Sequence, residues 1–482
     1  MRLSIIVRSI GFILLLNAAF MFISAGVAFF DPLDNSSFFP LLVSAFITAL
    51  VGVFPLIFVP SDLDLSLKEI YCIVVFAWLS GCFFGMLPYI MYGGEFSVTN
   101  AWFESVSGFT TTGASILNDI EALPKGILLW RASTHFIGGV GVIVFVLLVL
   151  PGVGTNRSKL SKVEISPLAQ DNFKFRSQQM IRVILGVYIG ITIAAAISLL
   201  LAGMPLFDAI CHSFSTVATG GFSTKNTSIA AFNSGKIELV LIIFMVISGM
   251  HFGMIYSTLV KRSKALFRST VTRFYLFSML IGSTLIALNL VFSGQVGNFF
   301  ESVRQSVFQV VAITTTTGFA TVNTSIWPSV SILILMYFMI QCACAGSTSG
   351  GIKADRVYIT YKAIMAQIRK NQHPNAVIPV RVQGIKVEND VVSAVLLYIV
   401  FFFLIIFATT ILLSLMGLNF MASVSLSLSS MSNVGPAFDA FHSMSNWDSI
   451  PILGKLLLSF VMLLGRLEIY GVLVLFYIRG WR

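Results

Sequence analysis

The sequence predicts an all-α membrane protein, with four tandem repeats of helix, short pore helix and helix around a pseudo-fourfold pore, preceded by a two-helix hairpin. Three observations carry this. Of the 482 residues, 57% are apolar and 10% charged, and the mean hydropathy is +0.92, which leaves too little polar surface to clothe a soluble globule. Four glycine-centred strings recur along the chain: TTTGAS ending at Ser115, ATGGFST at Thr224, TTTTGFAT at Thr321 and SNVGPAF at Phe438. Each follows a short, semi-polar segment and precedes a long apolar one.

Apolar stretches long enough to cross a bilayer, roughly 20 residues, fall near 5–30, 38–60, 70–91, 126–150, 180–203, 237–260, 272–293, 329–362, 392–416 and 452–480. The first begins with Arg2 and Arg8 like a signal peptide, but it is too long and lacks a small-residue cleavage site, so it is read as a spanning helix. The segments Val98–Phe109, Leu206–Val217, Gln305–Thr314 and Phe420–Met431 are too short to span. They must turn back, which is tolerated at membrane depth only where protein or a water-filled cavity shields the backbone. The resulting division is a hairpin at 1–66 and pore repeats at 67–152, 153–262, 263–370 and 371–482.

The second and third strings match over Gly221–Ile229 and Gly318–Ile326, with seven of nine positions identical. This alignment makes Gly221, not Gly220, the equivalent of Gly318, and it centres the other copies on Gly113 and Gly435. From Gly113 to Gly221 is 108 residues, from Gly221 to Gly318 is 97, and from Gly318 to Gly435 is 117. A period near a hundred suits a duplicated membrane unit, not a stacked solenoid.

Basic residues concentrate in three polar loops, 152–178, 259–273 and 351–390, which together carry 17 of the 30 lysines and arginines. Loops of this kind are retained in the cytoplasm, so the pI of about 9.4 reflects topology and not nucleic-acid binding. Every short helix then enters from the opposite face. The five cysteines are scattered through apolar segments with neither disulfide nor zinc spacing.

A glycine turn inside a membrane exposes carbonyls that nothing local satisfies, and a desolvated cation is their natural partner. Four such turns around an axis can replace an alkali ion's hydration shell, with each short helix aiming the negative end of its dipole at the same point. Thr111 and Thr112, Thr219 and Gly220, Thr316 and Thr317, and Asn433 and Val434 precede the four glycines. They offer carbonyls and hydroxyls without charge, which favours a monovalent over a divalent ion. Close helix packing also selects small residues and threonine; four strings in one helix–turn context argue against that alone.

The chain resembles the membrane subunits of Trk-type potassium uptake systems, the TrkH family, in a superfamily shared with the Ktr and plant HKT transporters, over essentially its whole length. The resemblance implies that carbonyls at and just before Gly113, Gly221, Gly318 and Gly435 coordinate K⁺. Relatives favouring Na⁺ commonly carry serine at the first of these positions, so Gly113 points to K⁺. The run Gly346-Ser347-Thr348-Ser349-Gly350-Gly351, after Ala345, interrupts an apolar stretch and resembles the family's intramembrane gating loop. Arg466 matches the arginine projecting toward the pore beneath the filter. A kink in the first case, and a pair with Glu468 or snorkelling in the second, are the plain structural alternatives. The resemblance further implies a homodimer in the bacterial inner membrane and gating by a cytosolic ring of TrkA-type nucleotide-binding subunits, with no nucleotide bound by this chain itself.

Other signals carry less. Glu104 and Arg131 are expected to pair and anchor the first turn. His135, His212 and His251 lack metal-ligand spacing, and Gly138-Gly139-Val140-Gly141 follows no strand, so it is read as a helix-packing patch. The expectation is a channel-like potassium uptake protein and not an enzyme. The alternative is a proton- or sodium-coupled symporter, for which Glu104 is the titratable candidate.

Overall fold

The short semi-polar segments form helices buried at the centre of the molecule, and the long apolar ones surround them. The computed structural model describes residues 2–34, 36–59, 67–149, 177–260, 262–442 and 444–467. The basic residues at 152–176, Lys261, Asn35 and the last span beyond Leu467 lie outside the described residues.

Helices α1 (Leu3–Phe30) and α2 (Phe38–Phe58) pair as a hairpin. They approach closely at two glycines: a Cβ on Gly11 would lie 2.5 Å from the Gly52 carbonyl oxygen, the kind of small-residue contact that lets membrane helices pack. One face of α2 leaves Phe46, Leu50 and Phe54 exposed, as a lipid-facing helix does. At the hairpin's end Lys125 binds Asp31 at 3.0 Å, and this bond chiefly holds the Asp31 carboxyl below its usual range.

The four repeats follow in one order. The first holds α3 (Leu67–Gly85), α4 (Leu87–Tyr92), the short α5 (Val98–Phe109) and α6 (Lys125–Val149). The second holds α7 (Ser177–Leu201), short α8 (Leu206–Val217), α9 (Gly235–Ser248) and α10 (Phe252–Leu259). A one-turn helix, α11 (Ala265–Arg268), leads to α12 (Thr270–Phe292), short α13 (Phe299–Thr314), α14 (Ser329–Gln341) and α15 (Ala354–Gln372). The fourth holds α16 (Asn389–Leu415), short α17 (Phe420–Ser432) and α18 (Ile452–Arg466). Three short helices start at a side-chain cap, where Ser97, Asn298 and Asn419 accept backbone N–H bonds from Asn100, Phe300 and Ala422.

Several expected spans are interrupted. The stretch 237–260 is two helices bent by 103° between Ser248 and Phe252. The stretch 329–362 breaks after Gln341 and resumes at Ala354, so the irregular segment is wider than the glycine-rich run at 346–351. The stretch 70–91 pauses at Met86, just before Pro88, whose ring removes one backbone donor. The third short helix begins at Phe299, six residues earlier than its polar core suggested, because Asn298 supplies a cap that the apolar Phe299 and Phe300 disguise. The polar loop after α15 forms a minimal hairpin, β1 (Arg381–Val382) with β2 (Ile385–Lys386). Its turn, Gln383-Gly384, has positive φ at both positions, 53° and 81°, the geometry a two-residue hairpin prefers.

Three irregular points, one in each of the first three repeats, share a spacing. Gly141, Gly249 and Gly346 each lie 28 residues beyond Gly113, Gly221 and Gly318. Gly141 and Gly346 have φ of 75° and 77°, and Gly249 closes α9 at the elbow. Three spans therefore depart from regular helix at or near the glycine 28 residues past the turn.

Candidate functional site: a ring of four glycine turns

Each short helix ends in the same backbone figure. Thr111, Thr219, Thr316 and Asn433 have φ of 52°, 56°, 59° and 56°. The residue after each donates its N–H five residues back, Thr112 to Ser107 (2.9 Å), Gly220 to Ser215 (2.8 Å), Thr317 to Ala312 (2.9 Å) and Val434 to Ser429 (3.0 Å). This is a Schellman-type helix end, satisfying carbonyls that a bare terminus would leave orphaned. Two residues beyond each left-handed position stands a glycine with φ between 72° and 96°, in order Gly113, Gly221, Gly318 and Gly435. The fourth copy, the most divergent in sequence, keeps the figure because asparagine tolerates the left-handed conformation that β-branched threonine resists.

The four figures close on one another. A Cβ placed on Gly113 would lie 2.0 Å from the Gly220 carbonyl oxygen, and one on Gly221 would lie 1.9 Å from that of Thr317. On Gly318 it would meet the Val434 carbonyl at 2.1 Å, and on Gly435 that of Thr112 at 2.3 Å. Each glycine thus packs against the carbonyl preceding the next repeat's glycine, and the cycle returns to its start. All four glycines line one small cavity of about 70 Å³, walled further by Arg131, Lys225, His442 and Trp447.

Behind the ring the turns are tied down. Arg131 and Glu104, 1% and 0% exposed, pair at 2.7 Å; Glu104 also accepts from the Ser115 hydroxyl (3.0 Å) and the Ile116 N–H (3.1 Å). Arg131 donates on to the Ser223 carbonyl (3.3 Å) and stacks over Phe222 at 4.1 Å, so one buried pair joins the first turn to the second. His135 stacks on the other partner of that contact, its ring 4.1 Å from Phe222, and Nδ1 accepts the Phe222 N–H at 3.4 Å. His212 bridges the Asp208 carbonyl and the Ser223 hydroxyl. Gly138 and Gly139 pack as a helix contact: a Cβ on either would strike the Phe109 carbonyl at 1.8 Å or Ala218 at 2.7 Å. On the outer surface the Asn226 amide donates to Asp119 (2.8 Å), and this bond chiefly lowers the Asp119 pKa.

The irregular segment 342–353 lies directly against the inner side of the ring. Thr348 donates its hydroxyl to the Val217 carbonyl (3.0 Å) and receives one from Thr219 (3.3 Å). The Gly350 N–H donates to the Thr316 hydroxyl (3.2 Å), and a Cβ on Gly350 would lie 2.4 Å from the Ser432 carbonyl. Within the segment, Ser347 and Ser349 share a 2.8 Å hydroxyl bond; Gly346, at φ 77°, leaves no room for a side chain beside the His251 ring, and Gly351 none beside Cys342. Arg466 donates to the Thr348 carbonyl (2.6 Å) and to Gly138 (2.7 Å), so the loop is held by the ends of three short helices and by one arginine.

Sequence reasoning named the ring and loop residues but missed Asn433 as a fastener. Its amide donates to the Thr112 hydroxyl (3.0 Å) and the Met462 carbonyl (2.9 Å), joining the fourth turn to the first. Its place two residues before an aligned glycine was the available signal.

The TrkH family model, described as a cation transport protein, matches residues 41–480. The chain is 33% identical over 428 residues to the Trk system potassium uptake protein TrkH of Salmonella typhimurium, covering 87% of each. It is 34% identical over 430 residues to TrkG of Escherichia coli, covering 88% of this chain and 87% of the other. The crystal structure of the potassium transporter TrkH from Vibrio parahaemolyticus superposes with a TM-score of 0.89 at 29% identity, covering all of both chains.

Proposed function

The chain belongs to the TrkH family of cation transport proteins, multi-pass proteins of the bacterial inner membrane, and from that premise we propose that it carries K⁺ into the cell through the ring of glycine turns. The observation that carries this reading is the closed cycle in which each glycine accommodates its neighbour's carbonyl. The backbone oxygens of Thr112, Gly220, Thr317 and Val434 and of the residues flanking them replace the ion's water, and Thr111, Thr219, Thr316 and Asn433 set their direction. The ring residues themselves carry no charge, so one positive charge is balanced by carbonyl dipoles and by the negative ends of four short helices. A divalent ion would call for carboxylates instead.

The segment from Gly346 to Gly351 is the gate. Its bonds to Val217, Thr219 and Thr316 obstruct the inner mouth, and the Arg466 charge raises the barrier to a cation there. Opening requires breaking those few bonds, work assigned to a cytosolic nucleotide-binding regulatory ring acting on the basic loops, with the transporter as a homodimer. Glu104 is tied to Arg131, Ser115 and Ile116, a task in holding the first turn, and the chain is read as a passive conductor.

The test is flux of K⁺, Rb⁺ and Na⁺ in vesicles holding the full-length chain, with the voltage clamped. K⁺ and Rb⁺ flux that follows the electrochemical gradient after the proton gradient is collapsed is the expected result. Flux that disappears with the proton gradient overturns the channel reading.

A further inference from the structure

The elbow in the second repeat, where the inner span bends by 103°, leaves a cavity of about 790 Å³ between α7, α9, α10 and α11. Its walls include Gly190, Ala194, Phe244, Ile247 and Ile255, all without charge, and its size lies within the range of about 300–1,000 Å³ common for ligand sites. A Cβ on Gly186 or Gly190 would meet nothing within 4 Å, so the hollow reaches down to the α7 backbone. Its rim is formed by Leu259, Val260 and Phe267, and these residues flank Arg262, Lys264 and Arg268, all exposed. An uncharged slot at membrane depth therefore opens beside a cationic edge on the cytoplasmic side.

A ligand with an apolar chain and an anionic head fits both parts. The cytoplasmic leaflet supplies such molecules, and its negative surface draws juxtamembrane lysine and arginine. We propose that this groove binds an anionic phospholipid, with an acyl chain between α7 and the elbow and the phosphate at Arg262, Lys264 and Arg268. The bound chain props the bend, and the bend holds the gating segment: the Cys344 N–H donates to the Gly249 carbonyl (3.0 Å), and the Phe252 N–H to that of Gly346 (3.1 Å). Anionic lipid thus favours the closed pore. This last step rests on reading 346–351 as the gate; the lipid site does not.

The binding test uses the full-length chain in phosphatidylcholine vesicles, with electron spin resonance of spin-labelled phosphatidylglycerol and phosphatidylcholine. The expected result is a larger motionally restricted fraction for phosphatidylglycerol. Replacing Arg262, Lys264 and Arg268 by glutamine lowers that preference, by about fivefold for each charge removed. Gly190→Leu with Ala194→Phe fills the slot and abolishes it, leaving the phosphatidylcholine signal unchanged. Equal restriction of the two lipids, or a preference that survives either variant, overturns the site, as does cross-linking of two copies through Gly190→Cys. Rb⁺ flux in the same vesicles reads the coupling: phosphatidylglycerol lowers flux through the native chain and not through the variants. Binding without that change in flux overturns the prop while keeping the site.

Discussion

A single carbon added at Gly113 meets the Gly220 carbonyl oxygen at 2.0 Å on a backbone already at φ 79°, so either the side chain or the oxygen must yield. The oxygen is a proposed ion ligand, and displacing it spoils the cage for K⁺ before that for the smaller, more strongly hydrated Na⁺. Gly113→Ser is expected to lower the K⁺/Na⁺ flux ratio by about tenfold, equivalent to about 1.4 kcal/mol of discrimination, measured as competing uptake in vesicles. Behind the ring, Glu104 is the only carboxylate given to the buried Arg131 by the described ion pairs. Glu104→Gln strands that charge and is expected to destabilise the fold by about 3–5 kcal/mol, read as a fall in thermal unfolding temperature in detergent. The left-handed threonines tell a related story. Thr111, Thr219 and Thr316 hold a conformation costing on the order of 1–3 kcal/mol for such residues, and the strain persists where the turn direction matters most.

Between α14 and α15 the segment 342–353 forms neither helix nor strand. Its attachments to the rest of the molecule include Thr348 to Val217 and Thr219, Gly350 to Thr316, Arg466 to Thr348, and the two bonds to the elbow. Deleting residues 346–350 is expected to raise basal K⁺ flux, and Arg466→Gln to raise it less, because the loop's other bonds survive. Lower flux at normal expression in either case contradicts the gate. The short helices were legible because length against bilayer thickness is a hard constraint, and the glycine strings because seven identical positions fix a register. The interruptions at Met86 and Gly249 were not, and the one after Gln341 was marked only by its glycine-rich part at 346–351. An apolar run carries no local mark of where its backbone bends, since the partner that satisfies the broken bonds sits on another repeat: Gly249 is answered by Cys344, and Gly346 by Phe252.

At the scale of the whole molecule, fourfold order was readable from the spacing of Gly113, Gly221, Gly318 and Gly435, but its closure was not. Which carbonyl meets which glycine depends on the order of repeats around the axis, and one linear sequence gives no direction of rotation. The charged face was partly readable. Arg369 and Lys370 end α15 exposed. Reversing both to glutamate is expected to weaken docking of the proposed cytosolic regulator while leaving regulator-free flux unchanged; sedimentation of the two components together measures it.

The cyclic contact among the glycine turns also bears on how the protein is made. Helices leave the ribosome in order, and the cycle stays open until the last repeat arrives: Gly318 waits for Val434, and Thr112 for Gly435. A chain arrested after the third repeat has three arcs and an open seam facing neighbouring helices. On the proposed reading, the carbonyl cage for K⁺ therefore comes into being only with the final repeat.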